Sequence, residues 1–209
     1  DAVRKAGIDG NYSLKPTFFG LLIDKQTAFD HIREVVAKAA SYGHFVRIDM
    51  EDSPCTDMEI ELFRLLKTEF PENVGLVLQA YLRRTCSDIE NLSDLSTEDL
   101  PLNFRLCKGI YVEPPEIAFQ DYQAVNDNYL KALEMMFEKG MYPAIATHDK
   151  VLVEGAFRLI KKYGATPDQY EFQMLYGVTP KLRRSIREQG HRMRVYIPFG
   201  KEWFGYSTR

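Results

Sequence analysis

Lys15, Asp49, Gln79, Arg105, Lys108, Thr147, His148, Gln173 and Tyr196 each fall at or near the end of a strand-like run. Their types suit recognition and electrostatics. Four cations, Lys15, Arg105, Lys108 and Arg209, accompany Tyr111, Tyr196 and Tyr206, a set that fits a small anionic substrate, a phosphate-bearing cofactor, or both. Other chemistries are excluded by what the pattern lacks. No carboxylate pair is arranged for glycoside hydrolysis. His148 has no second histidine nearby, so no catalytic zinc is expected. The nucleophile elbow GxSxG does not occur.

Each of these residues also has a plain structural reading. Lys15 and Asp49 end otherwise apolar strands and could form a buried salt bridge. Gln79 could satisfy a neighbouring carbonyl, His148 could be a structural hydrogen-bonder, Tyr196 could be packing, and Cys107 could be inward filler. Burying such groups without partners costs several kcal/mol, on the order of 2–7 for a neutral polar group. They are therefore expected to pair with one another or with ligands, and one pocket explains the set with fewer assumptions than many separate exceptions.

The elements that must position them alternate between two periods. Strands are expected over residues 12–15, 44–49, 74–79, 103–108, 142–147, 170–175 and 192–197. Between them, Phe29, Ile32, Val36 and Ala39 mark one helix that follows Asp24 and stops at Gly43. Thr56 with Glu59, and Ser87 with Glu90, read as capping boxes opening two more. A long helix is expected over 122–139. Asp149 should cap another, stopped by Gly164, and Thr179-Pro180 should open the last, stopped by Gly190.

Repeated βα units imply a parallel sheet. No GxGxxG or GxxxxGK[ST] is present, which disfavours a doubly wound nucleotide-binding sheet. An α/β chain of the (β/α)8 TIM-barrel class is expected, with seven strands visible in 209 residues against roughly 250 for a full barrel. Residues 1–209 thus read as one barrel domain incomplete at both ends, its first strand upstream of Asp1 and its last helix cut off after Arg209. A net charge of -3 leaves no footprint for nucleic acid. Cys55, Cys86 and Cys107 are spread out, as reduced thiols in a reducing compartment would be. The longest apolar runs are far shorter than a bilayer span.

Several segments resemble proline dehydrogenase, the flavin-dependent barrel enzyme, and its single-function bacterial form in particular. They are Arg105-Leu106-Cys107-Lys108-Gly109-Ile110-Tyr111, Ala146-Thr147-His148-Asp149, Tyr170-Glu171-Phe172-Gln173-Met174-Leu175-Tyr176-Gly177-Val178, Arg194-Val195-Tyr196-Ile197-Pro198-Phe199-Gly200 and Trp203-Phe204-Gly205-Tyr206-Ser207-Thr208-Arg209. Segments around Lys15, Asp49 and Gln79 match in the same order.

The resemblance implies bound FAD, oxidation of L-proline to Δ1-pyrroline-5-carboxylate, and a quinone acceptor. It also implies a cytoplasmic location with peripheral contact at the inner face of a membrane. Arg105 corresponds to an arginine at the flavin's reactive nitrogen, and Gln79 to a contact on its pyrimidine side. Lys108 and Gly109 correspond to phosphate and ribose contacts. Cys107, where the family has valine, contributes backbone atoms. Thr147, His148 and Gln173 complete the cofactor-binding set. Lys15 and Arg209 correspond to partners of the substrate carboxylate, and Asp49 to an acid in their ion-pair network. Tyr196 packs on the proline ring, with Leu175, Tyr206 and Tyr111 as walls. Arg105, Lys15 and Asp49 are thereby the expected catalytic group. The family carries two adjacent arginines where this chain ends at Arg209. Two other readings stay open from the residues themselves: a Schiff-base aldolase using Lys15 or Lys108, and a ligand-binding barrel without turnover.

Overall fold

A computed structural model describes residues 1–198. After a short helix α1 (Ala2–Lys5), the chain alternates β1 (Asn11–Leu14), α2 (Lys25–Ala40), β2 (Phe45–Ile48), α3 (Ser53–Glu69), β3 (Val74–Gln79), α4 (Thr85–Leu92), β4 (Asn103–Cys107), α5 (Tyr122–Glu138), β5 (Tyr142–Ala146), α6 (Lys150–Tyr163), β6 (Glu171–Leu175), α7 (Pro180–Glu188) and β7 (Met193–Tyr196). The seven strands form one sheet in chain order, every neighbouring pair parallel. The sheet curls: Asp9, just ahead of β1, reaches Arg192 and Arg194 at β7 through ion pairs. This is the TIM-type barrel architecture expected from the alternation.

All seven strands stand where the sequence pattern puts them, within a residue or two. Asp24, Asp121 and Asp149 cap α2, α5 and α6, their carboxylates accepting from the N–H of Thr27, Ala124 and Val151. Gly164, at φ 62°, supplies the left-handed turn that ends α6.

The two capping boxes are wrong. Helix α3 begins at Ser53, with Asp52 as its cap and Pro54 in its first turn, so Thr56 and Glu59 lie inside the helix. Helix α4 begins at Thr85, two residues before Ser87. In both cases Ser/Thr-x-x-Glu begins at the third or fourth residue of a helix already started. Short polar side chains are common there, and the tertiary context decides which residue is the cap.

The strand pleat sorts the sheet into two unlike faces. The outer set, including Val46, Ile48, Leu76, Leu78, Phe104, Leu106, Ile145, Phe172 and Met174, is buried against the helices. Burying such side chains supplies about 1.5–3 kcal/mol each. The inner set is largely polar: Ser13, Arg47, Gln79, Asn103, Arg105, Glu171, Gln173 and Arg194. These residues bond across the barrel, since Arg47 donates to the Asn103 carbonyl at 2.8 Å and to its side-chain oxygen at 2.6 Å. Arg194 Nε donates to the Glu171 carboxylate at 2.9 Å. The Arg47 guanidinium is fully buried; burial and repulsion from Arg105 push it down to about 9, against the pull of Glu171 and Asp49, so it stays cationic at neutral pH.

Gly75 lies beside Arg47 in the β2–β3 register. A Cβ there would come 2.4 Å from the Asn103 carbonyl, 2.7 Å from an Arg47 guanidinium nitrogen and 2.8 Å from the Phe45 ring. Gly75→Ala should therefore destabilise the fold by about 1–3 kcal/mol. A lower urea midpoint at unchanged slope would report it; a wild-type midpoint would show that the interior has room to spare.

Candidate active site

At the C-terminal ends of the strands, Arg105 projects inward from β4 and is clamped on three sides. Its Nε donates to Gln173 Oε1 on β6 at 2.6 Å, one Nη to Asp49 Oδ1 after β2 at 3.0 Å, and the other Nη to Ser13 Oγ on β1 at 2.8 Å. Asp49 also faces Lys15 Nζ at 3.5 Å. The guanidinium lies 5.3 Å from the centre of the Tyr196 ring, within cation–π range. Gln173 turns its amide nitrogen to Glu171 at 2.6 Å, so the site and the ion layer beneath it are one network. Side chains from β1, β6 and β7 and the turn after β2 thus converge on one guanidinium carried by β4 and hold it in place.

A second group lies along β3, β4 and the loops after β4 and β5. Gln79, buried, donates to the Glu51 carbonyl at 2.8 Å. Half-buried Lys108 bonds Asp149 at 2.6 Å and lies 4.3 Å over the Tyr122 ring. Burial raises the Asp149 carboxyl, but the hydrogen bonds from Lys108, Tyr122 and the Val151 N–H outweigh it and hold the group at about 2. Gly109 takes φ 106°, and a Cβ there would lie 2.1 Å from the Tyr81 ring, so only glycine is accommodated.

Thr147 Oγ accepts from the Asp149 N–H at 3.1 Å. His148 Nε2 accepts from the Leu175 N–H at 3.0 Å. A backbone donor to Nε2 requires its lone pair, so the neutral ring carries its proton on Nδ1; burial, which lowers the His148 pKa, favours that neutral form. Cys107 is a half-buried thiol, raised by burial to about 11 and therefore unreactive, in keeping with its reading as inward filler. Tyr111 is half-buried, its hydroxyl raised by burial and by Glu51, Glu59, Asp49 and Asp52.

The structure brings Lys15, Asp49, Arg105, Gln173 and Tyr196 into one linked group, and the salt bridge that was one of two readings of Lys15 and Asp49 is present. Lys108, Thr147 and His148 form the neighbouring strip, linked through Asp149 and Leu175. Tyr206 and Arg209 lie outside the described residues. Ser13, Glu51 and Glu171 lie in segments that carry the resemblance but had no role assigned, and Glu113 was missed altogether. Glu113 accepts from both the N–H and the hydroxyl of Ser53, tying the loop after β4 to the start of α3. Ser13 on β1 and Glu171 on β6 are polar residues at inward positions of strands, and that alternation was the available signal for them; Glu51 and Glu113 sit in turns that carry no periodic mark.

The donors and acceptors present fit a flavin nucleotide. A cation (Lys108), a guanidinium (Arg105) and the Nδ1–H of His148 suit anionic and carbonyl oxygens. The Gln79 Oε1, without a hydrogen-bond partner among the described residues, suits an imide N–H.

Comparison with known proteins gives one family. A family model described as proline dehydrogenase matches residues 4–203. Proline dehydrogenase 1 of Bacillus subtilis subsp. natto is 36% identical over 208 residues, covering 100% of this chain and 67% of the relative. Proline dehydrogenase of Deinococcus radiodurans is 37% identical over 213 residues, with the same coverage of both. The crystal structure of proline utilization A (PutA) from Bdellovibrio bacteriovorus, inactivated by N-propargylglycine, superposes with a TM-score of 0.84 at 26% identity. It covers 94% of this chain, which spans 23% of that one.

The Lys108–Asp149 pair has a pH signature. The Asp149 pKa falls from an ordinary 3.8 to about 2 on folding. Its contribution is therefore complete above about pH 4 and is lost as pH falls through 2. Lys108→Met should flatten the stability loss across that window, read as melting temperature against pH. An unchanged acid limb would show that the lysine does not hold the carboxyl down.

Proposed function

This chain belongs to the proline dehydrogenase family, oxidoreductases acting on proline, and from that premise we propose that it oxidises L-proline to Δ1-pyrroline-5-carboxylate with FAD as the hydride acceptor. The observation that carries the reading is the clamped Arg105 with Asp49 and Lys15 at the strand ends. When bound, the flavin supplies a two-electron acceptor that no side chain of the protein can replace.

The protein's own part is position and charge. Lys15, with Arg209, pairs with the proline carboxylate and orients the ring. Asp49 holds Lys15 and Arg105 apart and in place, so the two cations need not reorganise when substrate enters. Tyr196 and Leu175 cover the ring and exclude water, and Tyr111 and Tyr206 close the same pocket. The proline nitrogen must be neutral before its neighbouring carbon releases hydride. Arg105, already fixed by Gln173, Asp49 and Ser13, opposes the negative charge that develops on the acceptor side. Gln79, Lys108, Gly109, Thr147, His148, Gln173 and the Cys107 backbone form the cofactor side.

Electrons then leave to a quinone, with the protein working on the cytoplasmic side against a membrane surface. Exposed Phe18, Leu22, Ile23, Ile110 and Val112 on the loops after β1 and β4 support contact on the same side as the site. Among the described residues, no helix is long and apolar enough to cross a membrane. The aldolase reading is disfavoured because Lys15 and Lys108 each engage a carboxylate, whereas an amine nucleophile is activated by desolvation or a neighbouring cation.

Proline added anaerobically should bleach the visible flavin band, and an artificial acceptor should restore it; a spectrum indifferent to proline would overturn the assignment. Arg105→Met should fold and bind flavin but slow reduction by about 10²–10³, the loss typical of removing one preorganised donor. Wild-type reduction rates would remove Arg105 from the mechanism. Arg209→Ala should mainly raise KM for proline, so an unchanged KM would contradict its carboxylate role.

A further inference from the structure

Residue 51 is a junction. Its N–H donates to both oxygens of Glu59, at 3.0 and 3.1 Å. Its carbonyl accepts from Gln79 Nε2 at 2.8 Å. Its carboxylate accepts from the N–H of Thr17 at 2.9 Å and from the Thr17 hydroxyl at 2.8 Å. Thr17 lies two residues after Lys15, in the 3-10 turn Pro16–Phe19. One residue in the turn after β2 therefore touches a member of the cofactor side and the segment carrying a member of the substrate side.

Glu59 is what holds that junction from behind. It sits within α3, has no solvent exposure, and faces no cation at salt-bridge distance among the described residues. Burial pushes its carboxyl up to about 8; the Glu51 N–H and Lys15 act against that, Glu51 and Asp52 with it. A buried carboxyl held this way costs stability, and its bond goes to the N–H of Glu51, which precedes the helix cap Asp52 and is outside the backbone ladder of α3. The bond does set the backbone of residue 51. Because a carbonyl can be met only by the nitrogen of the Gln79 amide, that carbonyl decides which way the amide faces and leaves Oε1 for a ligand.

We propose that Glu59 is a positioning residue: by holding the backbone N–H of Glu51, it sets the amide of Gln79 and the segment that carries Lys15, coupling the cofactor and substrate sides. The inference rests on the flavin and proline reading above for what those two sides bind. Glu59 itself hydrogen-bonds only the Glu51 N–H among the described residues, and Lys15 acts on it through space.

The test is a double-mutant cycle with Gln79. Glu59→Leu removes the acceptor, and Glu59→Gln keeps one oxygen for the Glu51 N–H. FAD dissociation constants are measured by quenching of flavin fluorescence, proline KM by steady-state turnover, and stability by melting. Glu59→Leu should weaken FAD about tenfold, the scale on which partners behind a binding residue act, and should also raise KM for proline. Glu59→Gln should restore most of both. Gln79→Ala should weaken FAD by a similar factor. The double variant should bind FAD no worse than the poorer single variant, since both act through one bond. Where Glu59→Leu does not fold, Glu59→Asp, shorter by one methylene, replaces it in the cycle.

A lower melting temperature with unchanged FAD affinity and KM, or multiplicative losses in the double variant, would overturn the proposal. A flavin-free readout separates it from the functional reading. In ¹⁵N spectra of the apoprotein, the Gln79 side-chain amide should shift in Glu59→Leu and stay in Glu59→Gln. If the wild-type chain takes up no FAD, the functional reading fails, and this amide signal still decides whether Glu59 orients Gln79: an unmoved signal refutes it.

Discussion

The structure depends on the charge of Arg105 being neutralised and immobilised inside a sheet. A guanidinium has five donors and cannot shed its proton, so an arginine this deeply buried must be surrounded by acceptors. Asp49, Gln173 and Ser13 supply them from three other parts of the barrel. That requirement links β1, β2, β4 and β6 more specifically than apolar packing does. It also explains why Gln173 must turn its nitrogen to Glu171, and why Glu171 in turn meets Arg194. Replacing such a network by apolar residues could leave a stable barrel; it would not leave a fixed cation at the strand ends.

The barrel thereby divides its labour between the two faces of each strand. Outward side chains are aliphatic or aromatic and provide the driving force for folding. Inward side chains are held by hydrogen bonds and ion pairs, each with a defined direction. Gly75 shows how closely the two demands are balanced, because the inward position beside Arg47 has no space for a methyl group. A site built on strands supported in this way can hold its groups within the narrow tolerance that hydride transfer needs.

The turns after the strands do the coupling. Lys15, Glu51 and Glu113 lie in segments with no hydrophobic period, yet their contacts tie the loop after β1 to that after β2, and the latter to the loop after β4. Glu59 has the spacing of half a capping box, but its partner is the N–H eight residues upstream. The residue type was informative and the local rule was not: a glutamate reaching back to a backbone N–H is the right chemistry, while the N–H it reaches belongs to the junction at residue 51 instead of a helix cap. Thr56 and Ser87 lie inside helices that have already begun, at Ser53 and Thr85, so neither is a cap.

By itself, the order of residues determined the seven strands, their parallel arrangement, the helix starts at Asp24 and Asp149, and the polar strand ends, because alternation, capping chemistry and turn residues act over a few neighbours. It also made the pairing of Lys15 with Asp49 foreseeable, since an otherwise apolar strand cannot end in an unpaired charge. Only the tertiary structure decided who shares Arg105, that His148 spends Nε2 on Leu175, that Lys108 is held by Asp149, and that Glu51 joins the two sides. Those choices bring together residues from about thirty to ninety positions apart, and no local period records which acceptor a buried donor will find when the sheet closes on itself.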